Sequence, residues 1–175
     1  MIKLKKYNRE SIVNKRITVI GLGISGKAVS ILANQLGAIV YASDSNSSEE
    51  IISNAMDLMH DHHIATETGI HTKKIYDSDL WIVSPGVSAK SKIIKEAFNH
   101  NIPIVSEIEF ASWFTKFPII GITGSNGKTT TTYILNQMFK EDQKAVVIGG
   151  NIGIPFSECI LKEILHPSNN LIYIL

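Results

Sequence analysis

The 175 residues are 44% hydrophobic and 19% charged, the balance of a globular protein, and suffice for one domain or two small ones. Seventeen basic against 16 acidic residues leave a formal net charge of +1, which excludes a global field that would recruit nucleic acid or an acidic lipid surface. No apolar run approaches the ~18 residues of a membrane-crossing helix, the opening segment lacks a secretory h-region, and the single Cys159 excludes an internal disulfide; these predict a cytoplasmic protein with no membrane insertion.

The basic start (Lys3, Lys5, Lys6, Arg9) reads as a solvated flank. Residues 17–20, Ile-Thr-Val-Ile, form a short β-branched strand that runs into Gly21-Leu22-Gly23-Ile24-Ser25-Gly26. Ala28, Ile31, Leu32 and Leu36 then recur at helical spacing over residues 27–36, and Gly37 is placed to end that helix. Residues 38–42 are the next strand, ending at Ser43-Asp44. Strand, G-x-G-x-x-G turn and helix, with an acid 18 positions after the last glycine, constitute a βαβ nucleotide-binding unit. The turn calls for a diphosphate or other anion at the helix N-terminus, with Asp44 accepting from a sugar hydroxyl or a base edge.

Residues 49–59 read as an amphipathic helix through Ile51, Ile52, Ala55, Met56 and Met59. His60-Asp61-His62-His63 follows, with His71 nearby; adjacent residues rarely converge on one ion, so polar loop histidines are expected rather than metal ligands. Leu80-Trp81-Ile82-Val83 is a buried strand stopped by Ser84-Pro85-Gly86. In an open α/β sheet, ligands lie outside the carboxyl ends of the strands, which places this turn beside the first glycine-rich loop; a bare Pro-Gly turn is the alternative. A helix over residues 92–99, a short strand over 103–105 and a helix over 107–114 complete an α/β unit spanning residues 1–114.

A second unit, residues 115–175, opens on the apolar strand Phe117-Pro118-Ile119-Ile120 and the loop Gly121-Ile122-Thr123-Gly124-Ser125-Asn126-Gly127-Lys128-Thr129-Thr130. Ile134, Leu135, Met138 and Phe139 then fall on one helical face. Strand, glycine-rich turn, Lys-Thr and helix are the parts of a P-loop, whose backbone N–H groups crowd round phosphate oxygens. Lys128 is expected to reach the β- and γ-phosphates and the Thr129 hydroxyl to supply a Mg²⁺ ligand. The loop is a variant, because Ile122 stands where the usual pattern has its first glycine. Residues 145–148 form a strand leading into Gly149-Gly150-Asn151-Ile152-Gly153. Residues 157–165 form a helix in which Cys159 sits among apolar neighbours, and residues 171–175 form an apolar strand at which the chain stops. That ending reads as the front part of a longer protein, with an incomplete P-loop domain whose last strand is exposed or poorly ordered and prone to aggregation.

Two nucleotide-binding elements in this order, with the loop Gly124-Ser125-Asn126-Gly127-Lys128-Thr129-Thr130, resemble the Mur ligase family of peptidoglycan synthesis, over essentially the whole chain. The Gly21–Gly26 turn on a Rossmann-like first domain, the Ser84-Pro85-Gly86-Val87 turn and Ser125-Asn126 in the P-loop favour the D-glutamate-adding branch. The resemblance implies that residues 1–114 hold the UDP part of UDP-N-acetylmuramoyl-L-alanine. Ile24 and Ser25 would then contact the diphosphate, Asp44 and Ser45 the uracil and ribose, Gly86 the nucleotide, and Asn151 the substrate. Many such sequences carry Arg where this chain has Asn46.

Residues 115–175 would begin the ATP-binding central domain, with Gly124, Ser125, Asn126, Gly127, Lys128, Thr129 and Thr130 around the nucleotide, Lys128 in the catalytic role and Thr129 as one Mg²⁺ ligand. The implied reaction passes the γ-phosphoryl of ATP to the alanyl carboxylate, and the acyl phosphate is attacked by the amine of D-glutamate. The family's remaining metal ligands and its amino-acid-binding domain lie beyond the residue corresponding to Leu175, so the 175 residues alone are expected to show no ligase turnover. A monomer is implied for the full-length enzyme. The residues by themselves leave two alternatives: an NAD(P)-linked oxidoreductase domain, which leaves the P-loop unexplained, and a non-catalytic nucleotide-binding module.

Overall fold

In the computed structural model, which describes residues 9–88, 90–150, 153–167 and 169–175, the first glycine-rich turn leaves the central strand of a parallel sheet. The chain divides into two units, Met1–Phe114 and Thr115–Leu175.

The first unit runs α1 (Arg9–Ile12), β1 (Arg16–Ile20), α2 (Ile24–Gln35), β2 (Ile39–Asp44), α3 (Glu49–His62), β3 (Ala65–Thr68), a 3-10 turn at Lys73–Tyr76, β4 (Leu80–Val83), α4 (Lys92–Asn99), β5 (Ile104–Ser106) and α5 (Glu107–Ser112). The strands pair in the order β3-β2-β1-β4-β5, all parallel. β1 is central because Ile17, Val19 and Ile20 are apolar and Thr18 can satisfy its own polar atoms. The Thr18 hydroxyl donates to the carbonyl of Ile75 at 3.2 Å, so a polar residue is tolerated in a strand buried on both faces.

Helix α2 packs on β1, β2, α3 and α5. Another cluster joins Ile20, Ile75, Trp81, Ile94, Ala97 and Ile102. Trp81 is fully buried there, its indole N–H donating to the Ile75 carbonyl at 2.8 Å while its ring lies against Tyr76. The Arg9 of the basic flank falls at the start of α1; Lys3, Lys5 and Lys6 lie outside the described residues.

The second unit runs β6 (Ile119–Ile120), α6 (Lys128–Glu141), β7 (Ala145–Ile148), α7 (Phe156–Leu165) and β8 (Leu171–Ile174), with the parallel order β6-β8-β7. Two expectations change here. The closing strand is not exposed: β8 is the middle strand, with Tyr173 and Ile174 fully buried. It is central because both neighbours find ladder partners on it. Leu175 donates to the Ile120 carbonyl at 2.9 Å, and its own carbonyl accepts from Ile122 at 2.7 Å.

The apolar face assigned to α6 is also revised. Thr132 is buried and Leu135 and Phe139 half-buried, whereas Ile134 and Met138 are 51% and 59% exposed. The covered stripe of the helix is therefore 132-135-139, spaced by three and four residues. Phe156 packs edge-on against Tyr173, whose hydroxyl donates to Glu163 on α7 at 2.8 Å; Cys159 is buried in the same helix.

Candidate functional site

The first site forms where β1 meets α2. Gly21 takes φ +96°, a left-handed backbone that L side chains avoid. Its N–H donates to the carbonyl of Ser43 at 2.8 Å, tying the turn to the end of β2. A Cβ on Gly26 would lie 1.8 Å from the Gly21 carbonyl oxygen, so only glycine lets α2 start this close to the strand. A Cβ on Gly23 or Gly86 would meet nothing within 4 Å, so these two glycines border open space. Ile24 is 68% exposed at the first turn of α2, with Ser25 half-buried beside it.

The Ser84-Pro85-Gly86 turn does adjoin this loop: the Ser84 hydroxyl donates to the Gly21 carbonyl at 3.2 Å. The turn closes through the Val87 N–H on the Ser84 carbonyl at 3.0 Å and leaves Gly86 exposed.

Asp44, the acid of the fingerprint, is engaged by the protein's own backbone. One carboxylate oxygen accepts from the Leu22 N–H at 2.7 Å and the other from the Asn46 N–H at 2.8 Å. Each oxygen keeps capacity for a further donor, so a sugar hydroxyl can still be accepted. Asn46 repeats the device, its side-chain oxygen accepting from the Ser48 N–H at 2.9 Å. Asn46 is thus a turn brace, and Ser45 stands exposed between the two turns.

Leu22 is fully buried and its N–H has no solvent to fall back on. Asp44→Ala is therefore expected to cost about 1–3 kcal/mol, and Asp44→Asn, which keeps one acceptor oxygen, less. Urea midpoints of the two variants check this; an Asp44→Ala midpoint equal to that of the unaltered chain would refute the bracing role.

One group of residues at this end of the sheet carried no sequence signal. The buried Ser43 hydroxyl donates to Glu67 on β3 at 2.7 Å and lies 2.7 Å from Nδ1 of His71. Glu67 also accepts from the Thr72 N–H at 3.0 Å. Burial opposes its charge, but donors from Ser43, Thr72 and Tyr41 hold the Glu67 carboxyl below the usual value. The Tyr41 phenol is pushed up to about 12, by burial first and then by its bond to Glu67. His71 is held below the ordinary histidine value by burial, which outweighs the pull of Asp44 and Glu67.

His71 does lie in a loop, the one that follows β3, where it packs against the end of β2. His60 and His62, by contrast, are not loop residues: α3 runs through them, and His63 caps it in the left-handed conformation at φ +55°. Among the described residues no group of three or more His, Cys, Asp or Glu is placed to hold a metal.

The second site is the loop between β6 and α6. Gly124 at φ +150° and Gly127 at φ +79° supply its left-handed positions, and Gly127 is the N-cap of α6. Residues 123–130 are all exposed. The Lys128 ammonium donates to the Gly124 carbonyl at 2.5 Å, folding the side chain across the loop. The Thr131 N–H and hydroxyl both bond the Gly127 carbonyl, at 2.9 and 3.0 Å, which fixes the first turn and leaves Ser125, Asn126, Thr129 and Thr130 on the open side. Asn151, the remaining expected substrate contact, lies outside the described residues.

Comparison with known proteins matches residues 16–93 to the MurD N-terminal domain and residues 122–170 to the Mur ligase middle domain. A UDP-N-acetylmuramoylalanine–D-glutamate ligase of Chlorobium chlorochromatii is 38% identical over 154 residues, covering 86% of this chain and 32% of the relative. The ligase of the same name from Lactococcus lactis is 37% identical over 164 residues, covering 93% and 35%. The chain thus spans about a third of the length of the curated relatives it matches.

Among solved structures, the UDP-N-acetylmuramate–alanine ligase MurC of Thermotoga maritima aligns with a TM-score of 0.51 at 22% identity, over 93% of this chain and 37% of that one. A pseudomurein peptide ligase type C from Methanothermus fervidus aligns with 0.53 at 21%, over 91% and 32%. These two share the parallel α/β architecture. Carrying both domain types in succession, and 36–41% identical to the D-glutamate ligases it matches, the chain belongs to the Mur ligase family.

Proposed function

We propose that this chain supplies the UDP-substrate domain (residues 1–114) and the start of the ATP-binding domain (residues 115–175) of a ligase that adds D-glutamate to UDP-N-acetylmuramoyl-L-alanine. The observation that carries the reading is the pairing, on one chain, of a βαβ turn bordered by open space at Gly23 and Gly86 with a P-loop of the Ser125-Asn126 form. The enzyme would work in the cytoplasm as a monomer; among the described residues no helix is long and apolar enough to cross a membrane.

In this reading the Gly21–Gly26 turn and the N-terminus of α2 take the diphosphate, with Ile24 and Ser25 against it. Asp44 and Ser45 face the nucleoside, Gly86 closes the opposite side, and Asn151 holds the sugar-peptide portion. At the second loop the amides of residues 124–130 surround the β- and γ-phosphates of ATP. Lys128 exchanges its bond to the Gly124 carbonyl for the moving phosphoryl oxygens, where charge develops. Thr129 lies in the first turn of α6 and its hydroxyl would suit one ligand position on Mg²⁺. A Mg²⁺ held there would supply charge neutralisation to the phosphates.

Calorimetric titration tests the reading. The chain is expected to bind UDP and MgATP saturably and independently, with neither displaced by NADH. Tight NADH binding that UDP does not compete with would instead favour an oxidoreductase domain.

A further inference from the structure

The hydrogen bonds around Ser43 fix more than a strand end. The Ser43 hydroxyl has one proton, and at 2.7 Å from Glu67 that proton points to the carboxylate, which has none to give. The contact of 2.7 Å between the same oxygen and Nδ1 of His71 therefore requires the imidazole to be the donor. Neutral His71 is in consequence the Nδ1–H tautomer, and its Nε2 is an acceptor. Among the described residues no hydrogen bond occupies Nε2. The backbone of Ser43 meanwhile accepts from Gly21, the first residue of the glycine turn. One buried residue thus fixes both the diphosphate turn and the tautomer of the ring. The fingerprint acid Asp44, next in sequence, has already given one lone pair of each oxygen to the backbone.

We propose that His71 is a nucleoside-binding residue of this site, its Nε2 accepting a hydrogen bond from the nucleoside of the UDP substrate, a ribose hydroxyl or the imide N–H of the base. The proposal rests on the UDP reading above. It assigns to the loop after β3 a contact that the glycine fingerprint does not contain. The Ser43–Glu67 pair acts through the ring and is a positioning pair.

The charged groups acting on the ring are Asp44 on β2 and Glu67 on β3, and Tyr41 on β2 bonds Glu67. Both carboxylates favour the imidazolium, but burial prevails and the ring is neutral at pH 7. Protonation turns Nε2 into a donor and removes the acceptor. UDP affinity should therefore be full above the ring's titration and fall as pH drops through it, below the ordinary histidine value of about 6.5.

The test is calorimetric titration of the 175-residue chain with UDP and with 2′-deoxy-UDP. His71→Asn keeps an amide N–H near the Nδ1 position and removes the acceptor; His71→Gln places an amide oxygen near the Nε2 position. His71→Asn should bind UDP about 5- to 10-fold more weakly at pH 7.5 with an unchanged melting temperature, and His71→Gln should recover most of that loss. Affinity of the unaltered chain should fall from pH 7.5 to 5.5 by more than that of His71→Gln, which controls for titration of the phosphate. A loss shared by UDP and 2′-deoxy-UDP would place the contact on the base or the 3′-hydroxyl; a loss confined to UDP would place it on the 2′-hydroxyl.

His71→Asn binding UDP as the unaltered chain does would overturn this inference and leave the UDP reading standing. So would a loss that follows melting temperature in both variants. Failure of the unaltered chain to bind UDP would overturn both together.

Discussion

Gly26→Ala is expected to destabilise the first unit by about 3 kcal/mol or more, at the upper end of what overpacking costs, and to abolish UDP binding with it. The added Cβ would sit 1.8 Å from the Gly21 carbonyl oxygen and 2.8 Å from its carbon, and both are backbone atoms. Neither can retreat cheaply. The Gly21 N–H is held by Ser43 on one side and its carbonyl by the Ser84 hydroxyl on the other, so relief means lifting α2 off β1 and breaking the turn.

Gly23→Ala is the control. Its Cβ meets nothing within 4 Å and its φ of −67° suits any residue, so stability should change by no more than ~0.5 kcal/mol, the usual range for a surface position. Denaturant unfolding monitored by Trp81 fluorescence separates the two. Equal midpoints for Gly26→Ala and Gly23→Ala would refute the account of the turn.

Lys128→Ala carries the largest expected effect on the second site. The side chain is exposed and its hydrogen bond is to a carbonyl of its own loop, so the fold should not notice its loss. MgATP affinity should fall about 10- to 100-fold, the range for removing one charge-assisted hydrogen bond to phosphate. If the proposed role holds, the turnover loss in an assembled ligase should be larger, roughly 10²- to 10³-fold, because the ammonium would then face oxygens that gain charge as the phosphoryl group moves. Fluorescence titration with a labelled ATP analogue, beside a thermal melt, checks the first figure. A variant that melts with the parent and binds MgATP equally well would remove Lys128 from the phosphate site.

Where backbone and side chain demand the same thing, the sequence was readable. The run Ile17-Thr18-Val19-Ile20, the glycine turn and the helix after it had to be βαβ, because β-branched burial, left-handed glycines and a 3.6-residue period agree over consecutive residues. Residues 92–99 and 145–148 coincide with α4 and β7 for the same reason. Strand β3 was invisible: Ala65-Thr66-Glu67-Thr68 is an edge strand, only partly covered, and shows no apolar alternation. With it went the Ser43–Glu67–His71 group, whose members are 24 and 28 residues apart from Ser43 and meet only through the pairing of β2 with β3.

The histidines after Met59 read as a loop because a run of polar residues looks like one, while a helix C-terminus favours that composition through its dipole. Burial of the final strand is hidden for a different reason. Residues 171–175 carry no signal that distinguishes a central from an edge position, and it is β6 and β7 that take the edges.

The strand order of the first unit has a consequence for how it folds. β1 pairs with β2 through contacts such as Arg16 with Ile39, and with β4 through contacts such as Ile17 with Leu80. The second loop is nearly three times longer, and at about 0.6 kcal/mol per doubling its closure costs ~1 kcal/mol more chain entropy. The β1-α2-β2 half should therefore assemble early, with the glycine turn already in place, and β4 should dock late. Changes within Leu80–Val83 would then act chiefly on the rate of unfolding, and changes within Ile17–Ile20 on the rate of folding.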